Sequence, residues 1–266
     1  MLFEPLDRNY SETITISSRI INPIKERLLV GDTINETSIS HTSKYRTETS
    51  IPGILVYNGQ SFGRHKDKKL YKCIPNDKKL PVFLIPYSDK KSNFNKVKLN
   101  KYILFKFVEW KDKHPLAMIT NTLGDVNNTY VYYDYQLYCK NIHYSIQNLT
   151  KCTNKELLSY KKKEIFNDEI KIRNNVEIFT IDPEGSIDFD DALSIDTRSN
   201  TTIITIYISN VPFVLDKLKL WHELSNRVST IYLPHEKKPM LPPVLSDNIC
   251  SLLEKKIRSV VAMDIY

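Results

Sequence analysis

The sequence predicts a mainly β chain that becomes α+β towards its C-terminus: two small antiparallel barrels, then the opening part of an α/β domain. Three observations carry this prediction. Short runs of alternating apolar and polar residues, cut by Asn, Asp, Gly and Pro, fill roughly the first 150 residues, the pattern of half-buried strands joined by turns. Aromatic residues make up 11% of the chain and sixteen of them are tyrosine, a composition suited to packed, pleated surfaces rather than to disorder. Helical spacing of apolar residues is confined to two later stretches, after Thr153 and after Val214. A chain of 266 residues has room for two or three domains and for a buried core.

Residues 1–60 are the first predicted barrel, with Thr13-Ile14-Thr15-Ile16 and the run from Ile51 to Tyr57 as its clearest strands. Residues 61–150 are the second. Its strands are Leu80-Pro81-Val82-Phe83-Leu84-Ile85-Pro86, the run from Tyr102 to Trp110, and Tyr130-Val131-Tyr132-Tyr133 after the turn Gly124-Asp125-Val126-Asn127-Asn128. Alternation exposes only one side of a half-buried strand, so Tyr102, Phe105, Phe107 and Trp110 read as core before they read as a stacking platform. Lys66, Lys68, Lys69, Lys72, Lys78 and Lys79 read as a solvated loop that could also contact phosphates. Residues 151–172 are a helical connector opened by the capping box Thr153-Asn154-Lys155-Glu156, carrying Leu157, Leu158 and Ile165, with Lys161, Lys162 and Lys163 on the wet side. Within residues 173–266, the spacing of Val214, Leu218, Trp221, Leu224 and Val228 predicts a helix from Asp216 to about Val228. Arg227 at its end would meet a phosphate or favour the helix C-terminus, and spacing does not choose between them.

The chemistry is concentrated in Thr180-Ile181-Asp182-Pro183-Glu184-Gly185-Ser186-Ile187-Asp188-Phe189-Asp190-Asp191-Ala192, which sets four aspartates within ten residues. Carboxylates this close repel, so the site must take up protons, separate the groups or bind a cation. Oxygen ligands without His or Cys suit magnesium or manganese and suit zinc poorly. A solvated Asp-rich turn is the plain alternative. A calcium loop is a poor one, because the spacing and the terminal Glu of an EF-hand are missing.

Thr180-Ile181-Asp182-Pro183 followed by Asp188-Phe189-Asp190-Asp191-Ala192-Leu193 closely resembles the active-site motif of the RNase II (RNB) exoribonucleases, whose four acidic positions fall on Asp182, Asp188, Asp190 and Asp191. The resemblance continues in order through Ile206-Tyr207-Ile208-Ser209-Asn210-Val211, the block from Arg227 to Pro234, Pro239-Met240-Leu241-Pro242, and Leu245-Ser246-Asp247-Asn248-Ile249-Cys250-Ser251-Leu252. One departure is Asn210, where the family usually has Asp. Upstream, Gly31-Asp32-Thr33-Ile34 resembles an element of the family's first cold-shock-type OB barrel, and the stretch from Trp110 to Asp125 resembles the second barrel of the eukaryotic, exosome-type branch. The resemblance implies 3′ to 5′ hydrolysis of single-stranded RNA to nucleoside 5′-monophosphates. It implies a pair of magnesium ions, or manganese, held by Asp182, Asp188, Asp190 and Asp191, with Asp191 the most critical. It also implies that Tyr232 stacks on a base near the 3′ end and that Arg227 takes part in RNA binding.

The family's catalytic domain runs well beyond the point matching Tyr266. A further arginine-bearing block, a catalytic glutamate and a C-terminal RNA-binding barrel are expected either from a continuation or from a separate partner chain. The other reading is a non-catalytic single-stranded RNA-binding module derived from such an enzyme. A formal net charge of +7 agrees with a polyanionic partner. Cys73, Cys139, Cys152 and Cys250 lack Cys-x-x-Cys spacing and read as reduced thiols. Neither a signal peptide nor a membrane-spanning run is legible, so the expected location is intracellular, cytoplasmic or nuclear, with no membrane partner.

Overall fold

The computed structural model describes residues 1–10, 12–16, 18–88, 97–159, 172–173, 175–197, 201–224 and 229–266. The chain divides into two units, Met1–His143 and Tyr144–Tyr266.

The first unit opens with two antiparallel ladders, β1 (Ile14–Ile16) on β2 (Arg19–Ile21) and β3 (Thr33–Ile34) on β4 (Ile39–Ser40). Six strands follow: β5 (Ile51–Leu55), β6 (Arg64–His65), β7 (Lys68–Pro75), β8 (Phe83–Tyr87), β9 (Lys101–Glu109) and β10 (Leu116–Asp125). They form one sheet in the order β5-β9-β10-β8-β7-β6, and β5 pairs with β7 as well. That second pairing closes five strands into a barrel and leaves β6 outside it. The circuit, with β8 and β10 parallel and the other pairs antiparallel, is that of an OB barrel.

The barrel interior follows period two: Ile51, Gly53 and Leu55 on β5, Tyr71 and Cys73 on β7, and Phe83 and Ile85 on β8 are all buried. Gly53 is required at its place. A Cβ there would lie 2.8 Å from the Phe105 ring and 2.9 Å from Cys73 Sγ. Phe3, Tyr10, Ile21, Leu28, Leu29 and Ile34 belong to the same buried cluster as Phe83 and Phe105, so the first fifty residues pack on the barrel's core. The barrel itself starts at Ile51, ahead of the boundary expected near residue 61, because Ile51–Leu55 hydrogen-bonds to β9 on one side and β7 on the other.

Tyr130 to Tyr133, expected as a strand, are instead the first turns of helix α1 (Thr129–Cys139). Asn128 decides this: its side-chain oxygen accepts from the backbone N–H of Tyr130 at 2.9 Å and of Val131 at 3.4 Å, an N-cap that overrides the aromatic residues' strand preference. Tyr135 stacks on Tyr102 at 4.3 Å, and Val131 lies where a Cβ on Gly124 would stand. Tyr102, Phe105 and Trp110 are buried and Phe107 packs against the core; Ile103 and Leu104 are buried as well, so β9 is covered on both faces rather than alternating.

In the second unit, helix α2 (Gln147–Ser159) begins six residues before the predicted capping box, because the Ser145 hydroxyl already accepts from Gln147 N–H at 3.2 Å. Leu149 and Thr153 are its buried residues, and Ile165 with Lys161 to Lys163 lie outside the described residues. Strands β11 (Ile178–Phe179), β12 (Asp191–Asp196) and β13 (Ile203–Ser209) are followed by helix α3 (Val211–Lys217), then by β14 (Ile231–Tyr232), β15 (Lys237–Lys238) and β16 (Val260–Ile265). The sheet order is β11-β12-β13-β16, antiparallel throughout, and β14 pairs with β15.

The helix predicted from Asp216 to Val228 is corrected to this earlier, shorter α3. Asn210 starts it by accepting from Phe213 N–H at 3.2 Å, and Lys219, at a positive φ of 53°, ends it. Val214 and Leu218 are buried with Leu149, Leu241 and Leu245, whereas Trp221 falls in a separate 3₁₀ turn. Asn caps a helix as well as Asp does, which accounts for the departure at position 210.

Candidate active site

The acidic loop links β11 to β12 and is shaped at both ends. Ser186 N–H donates to the Pro183 carbonyl at 3.2 Å, and Gly185, at φ +85°, takes the position of that turn that requires a left-handed residue. At the other end the buried Ser251 holds the loop twice: its hydroxyl donates to Ile187 O at 3.2 Å and accepts from Phe189 N–H at 3.0 Å. Leu252 N–H donates to Phe189 O at 2.9 Å, and Ser209 N–H donates to Asp190 O at 2.9 Å. Arg258 Nε in turn donates to Ser251 O at 2.8 Å. The block 245–252 therefore clamps the loop that carries the aspartates. Ser251 and Arg258 were not singled out from the sequence; Ser251 lies inside a quoted block, but only its hydrogen bonds reveal what it does.

The four aspartates sit differently along this loop. Asp182 is exposed before the turn, Asp188 is half-buried, Asp190 follows Phe189, and Asp191 is the exposed first residue of β12. Partial desolvation, then the charges of Asp188 and Asp191 and more weakly Asp182, raise the pKa of Asp190, with Lys237 opposing. The carboxylates thus feel one another, and the oxygen-only donor set fits a hard divalent cation. Among the described residues, however, no three His, Cys, Asp or Glu side chains converge where an ion could be held.

Lys237, another residue the sequence reading passed over, sets its Nζ 2.7 Å from Asp188 Oδ2. That bond raises the lysine's own pKa. Tyr232, its cross-strand partner, is 72% exposed, so its ring is free to meet a flat partner rather than serving as core. The Lys237 ammonium lies 5.9 Å from that ring. Arg227 lies outside the described residues.

The family model described as the RNB domain matches residues 171–266, and that of the Dis3-like cold-shock domain 2 matches residues 70–134. Residues 171–266 are thus similar to the RNB domain family. The first match covers the acidic loop and its clamp; the second covers four of the barrel's five strands and the start of α1. The chain is 38% identical over 90 residues to ribonuclease R of Mycoplasmopsis pulmonis, a match covering 34% of this chain and 12% of that protein. It is 28% identical over 242 residues to DIS3-like exonuclease 2 of Schizosaccharomyces pombe, covering 84% of this chain and 26% of that one. The chain therefore spans between 12% and 26% of the length of these relatives.

Among solved structures, RNase R of Mycoplasma genitalium in complex with double-stranded RNA superposes with a TM-score of 0.60 at 20% identity, over 89% of this chain and 40% of that one. The yeast pseudonuclease Ssd1 superposes with a TM-score of 0.50 at 16% identity, over 89% and 30% respectively. Both likenesses concern the fold. Those relatives bear the names of nucleases, and divalent metal use goes with the RNB family in general.

Proposed function

We propose that this chain belongs to a metal-dependent 3′ to 5′ exoribonuclease that hydrolyses single-stranded RNA to nucleoside 5′-monophosphates. The observation that supports it is the clamped acidic loop. Ser251, Leu252 and Ser209 hold four carboxylates within mutual repulsion, an arrangement that gains the fold nothing and suits a ligand of opposite charge. Asp182, Asp188, Asp190 and Asp191 would hold magnesium or manganese, which in such sites activates water and neutralises charge on the phosphoryl group and the leaving oxygen. Asp191 is the most critical of the four. Tyr232 stacks on a base near the 3′ end, Arg227 binds the phosphate backbone, and the OB barrel tracks unpaired RNA.

The sheet supports a second part of the reading. Ile195, Ile204 and Ile265 align across three strands, as do Leu193, Ile206 and Met263, with Ile208 and Val261 paired beside them. Six of these eight side chains are exposed. An apolar face of that extent needs a cover. Since the RNB relatives are several times longer than this chain, the proposed cover is the rest of an RNB catalytic domain, following in the same polypeptide or supplied by a separate chain.

The second reading, a non-catalytic RNA-binding module, is favoured by the lack of convergence among the described carboxylates and by the likeness to a pseudonuclease fold. The test is product analysis. With the remainder of an RNB catalytic domain fused or added, the chain is expected to release nucleoside 5′-monophosphates from single-stranded RNA in magnesium, more slowly from a duplex and not in EDTA. RNA binding without any metal-dependent product would select the second reading.

A further inference from the structure

Lys237 connects the two halves of the candidate site. In the β14–β15 pair it is the cross-strand partner of Tyr232, with its ammonium 5.9 Å from that ring, and the same ammonium stands 2.7 Å from Asp188 Oδ2 across 49 positions of sequence. Its neighbour Lys238 turns to Glu236 instead, at 2.8 Å. One lysine therefore touches both a proposed metal ligand and the proposed base-stacking tyrosine.

We propose that Lys237 is a latch: in the metal-free chain its ammonium stands in for a cation at Asp188, and a divalent ion must displace it before the acidic loop can gather. The inference rests on the metal-site reading above and names a positioning residue for it. Two observations support it. The side chains of Lys237 and Asp188 are 30% and 31% exposed, so the pair is weak enough for a doubly charged ion to exchange. The carboxylates do not converge among the described residues, as expected if Asp188 is drawn towards the hairpin. Once displaced, Lys237 remains beside Tyr232 through their strand pairing, where its charge can meet a phosphate of RNA. Metal entry and readiness of the hairpin for RNA would then be one event.

The test is calorimetric titration of manganese into the full 266-residue chain and its variants, with no hydrolysis involved. Lys237→Met and Lys237→Gln should each bind manganese roughly two- to fivefold more tightly than wild type, the range for releasing a partly exposed ion pair. Lys237→Arg, which keeps the charge, and Lys238→Met, which leaves Asp188 paired, should bind as wild type does. If Lys237→Met and Lys237→Gln bind no more tightly than wild type while Asp191→Asn abolishes binding, the latch is wrong and the metal site stands. If wild type shows no saturable binding, or Asp191→Asn leaves it unchanged, the metal reading fails and the latch with it.

Discussion

A carboxylate with no exposed surface has to be compensated atom by atom, and Asp32 shows how. Its oxygens accept from the backbone N–H of Leu29 at 2.8 Å and of Ser43 at 2.9 Å, and from Arg46 at 2.7 and 3.2 Å. Burial acts to raise its pKa, but these donors outweigh burial and hold it below the ordinary carboxylate value. A depressed native pKa means that the charged form stabilises the fold. That stability is complete above about pH 4, the unfolded value, and is lost as pH falls through the lower native one. Asp32→Asn should cost about 3 to 5 kcal/mol at neutral pH, since Arg46 loses its buried partner. Thermal melts from pH 7 to pH 3 should show wild type losing its advantage only below about pH 4; a constant difference across that range would contradict the assignment. The sequence showed Asp32 only as part of a short motif. Its partners lie up to 14 residues away, and no local pattern announces them. The same holds for Lys237, whereas the four aspartates stood out because their crowding is itself local.

At the scale of elements, legibility depended on what sets each one. Strand β8 could be read because period-two burial is written along it, whereas β9 is buried at four successive positions, Tyr102 to Phe105, with Tyr135 of α1 stacked on Tyr102 on its second side. Helix α1 was missed because a single cap, Asn128, overrode the strand preference of four residues that include three tyrosines. The start of the barrel at Ile51 was not legible, since β5 finds its partners about fifty residues downstream, at Tyr102 to Phe105. Gly53 tests that closure. Gly53→Ala would press a methyl to within 2.8 Å of Phe105, 2.9 Å of Cys73 Sγ and 3.0 Å of the Ile74 carbonyl. The expected loss is about 1 to 3 kcal/mol, the usual range for overpacking, read as a lower midpoint in urea with an unchanged slope. An unaltered midpoint would mean that β5 does not approach β7 and β9 so closely.

For the whole molecule, the resemblance to the RNB family was legible because its motifs are contiguous and ordered. The supporting structure was not, since a clamp such as Ser251 on Phe189 joins residues 62 positions apart. The account's central claim is that this clamp presents Asp191 to a catalytic metal. The measurement that tests it most directly compares wild type with Asp191→Asn in the enzyme completed by the rest of an RNB domain, following magnesium-dependent hydrolysis, RNA affinity and melting temperature together. Asparagine keeps the side chain's shape and removes its charge. The account predicts a rate lower by roughly a thousandfold or more, with RNA affinity and melting temperature close to wild type. A joint fall in rate and melting temperature would make Asp191 a brace for the loop, and an undiminished rate would contradict the claim outright.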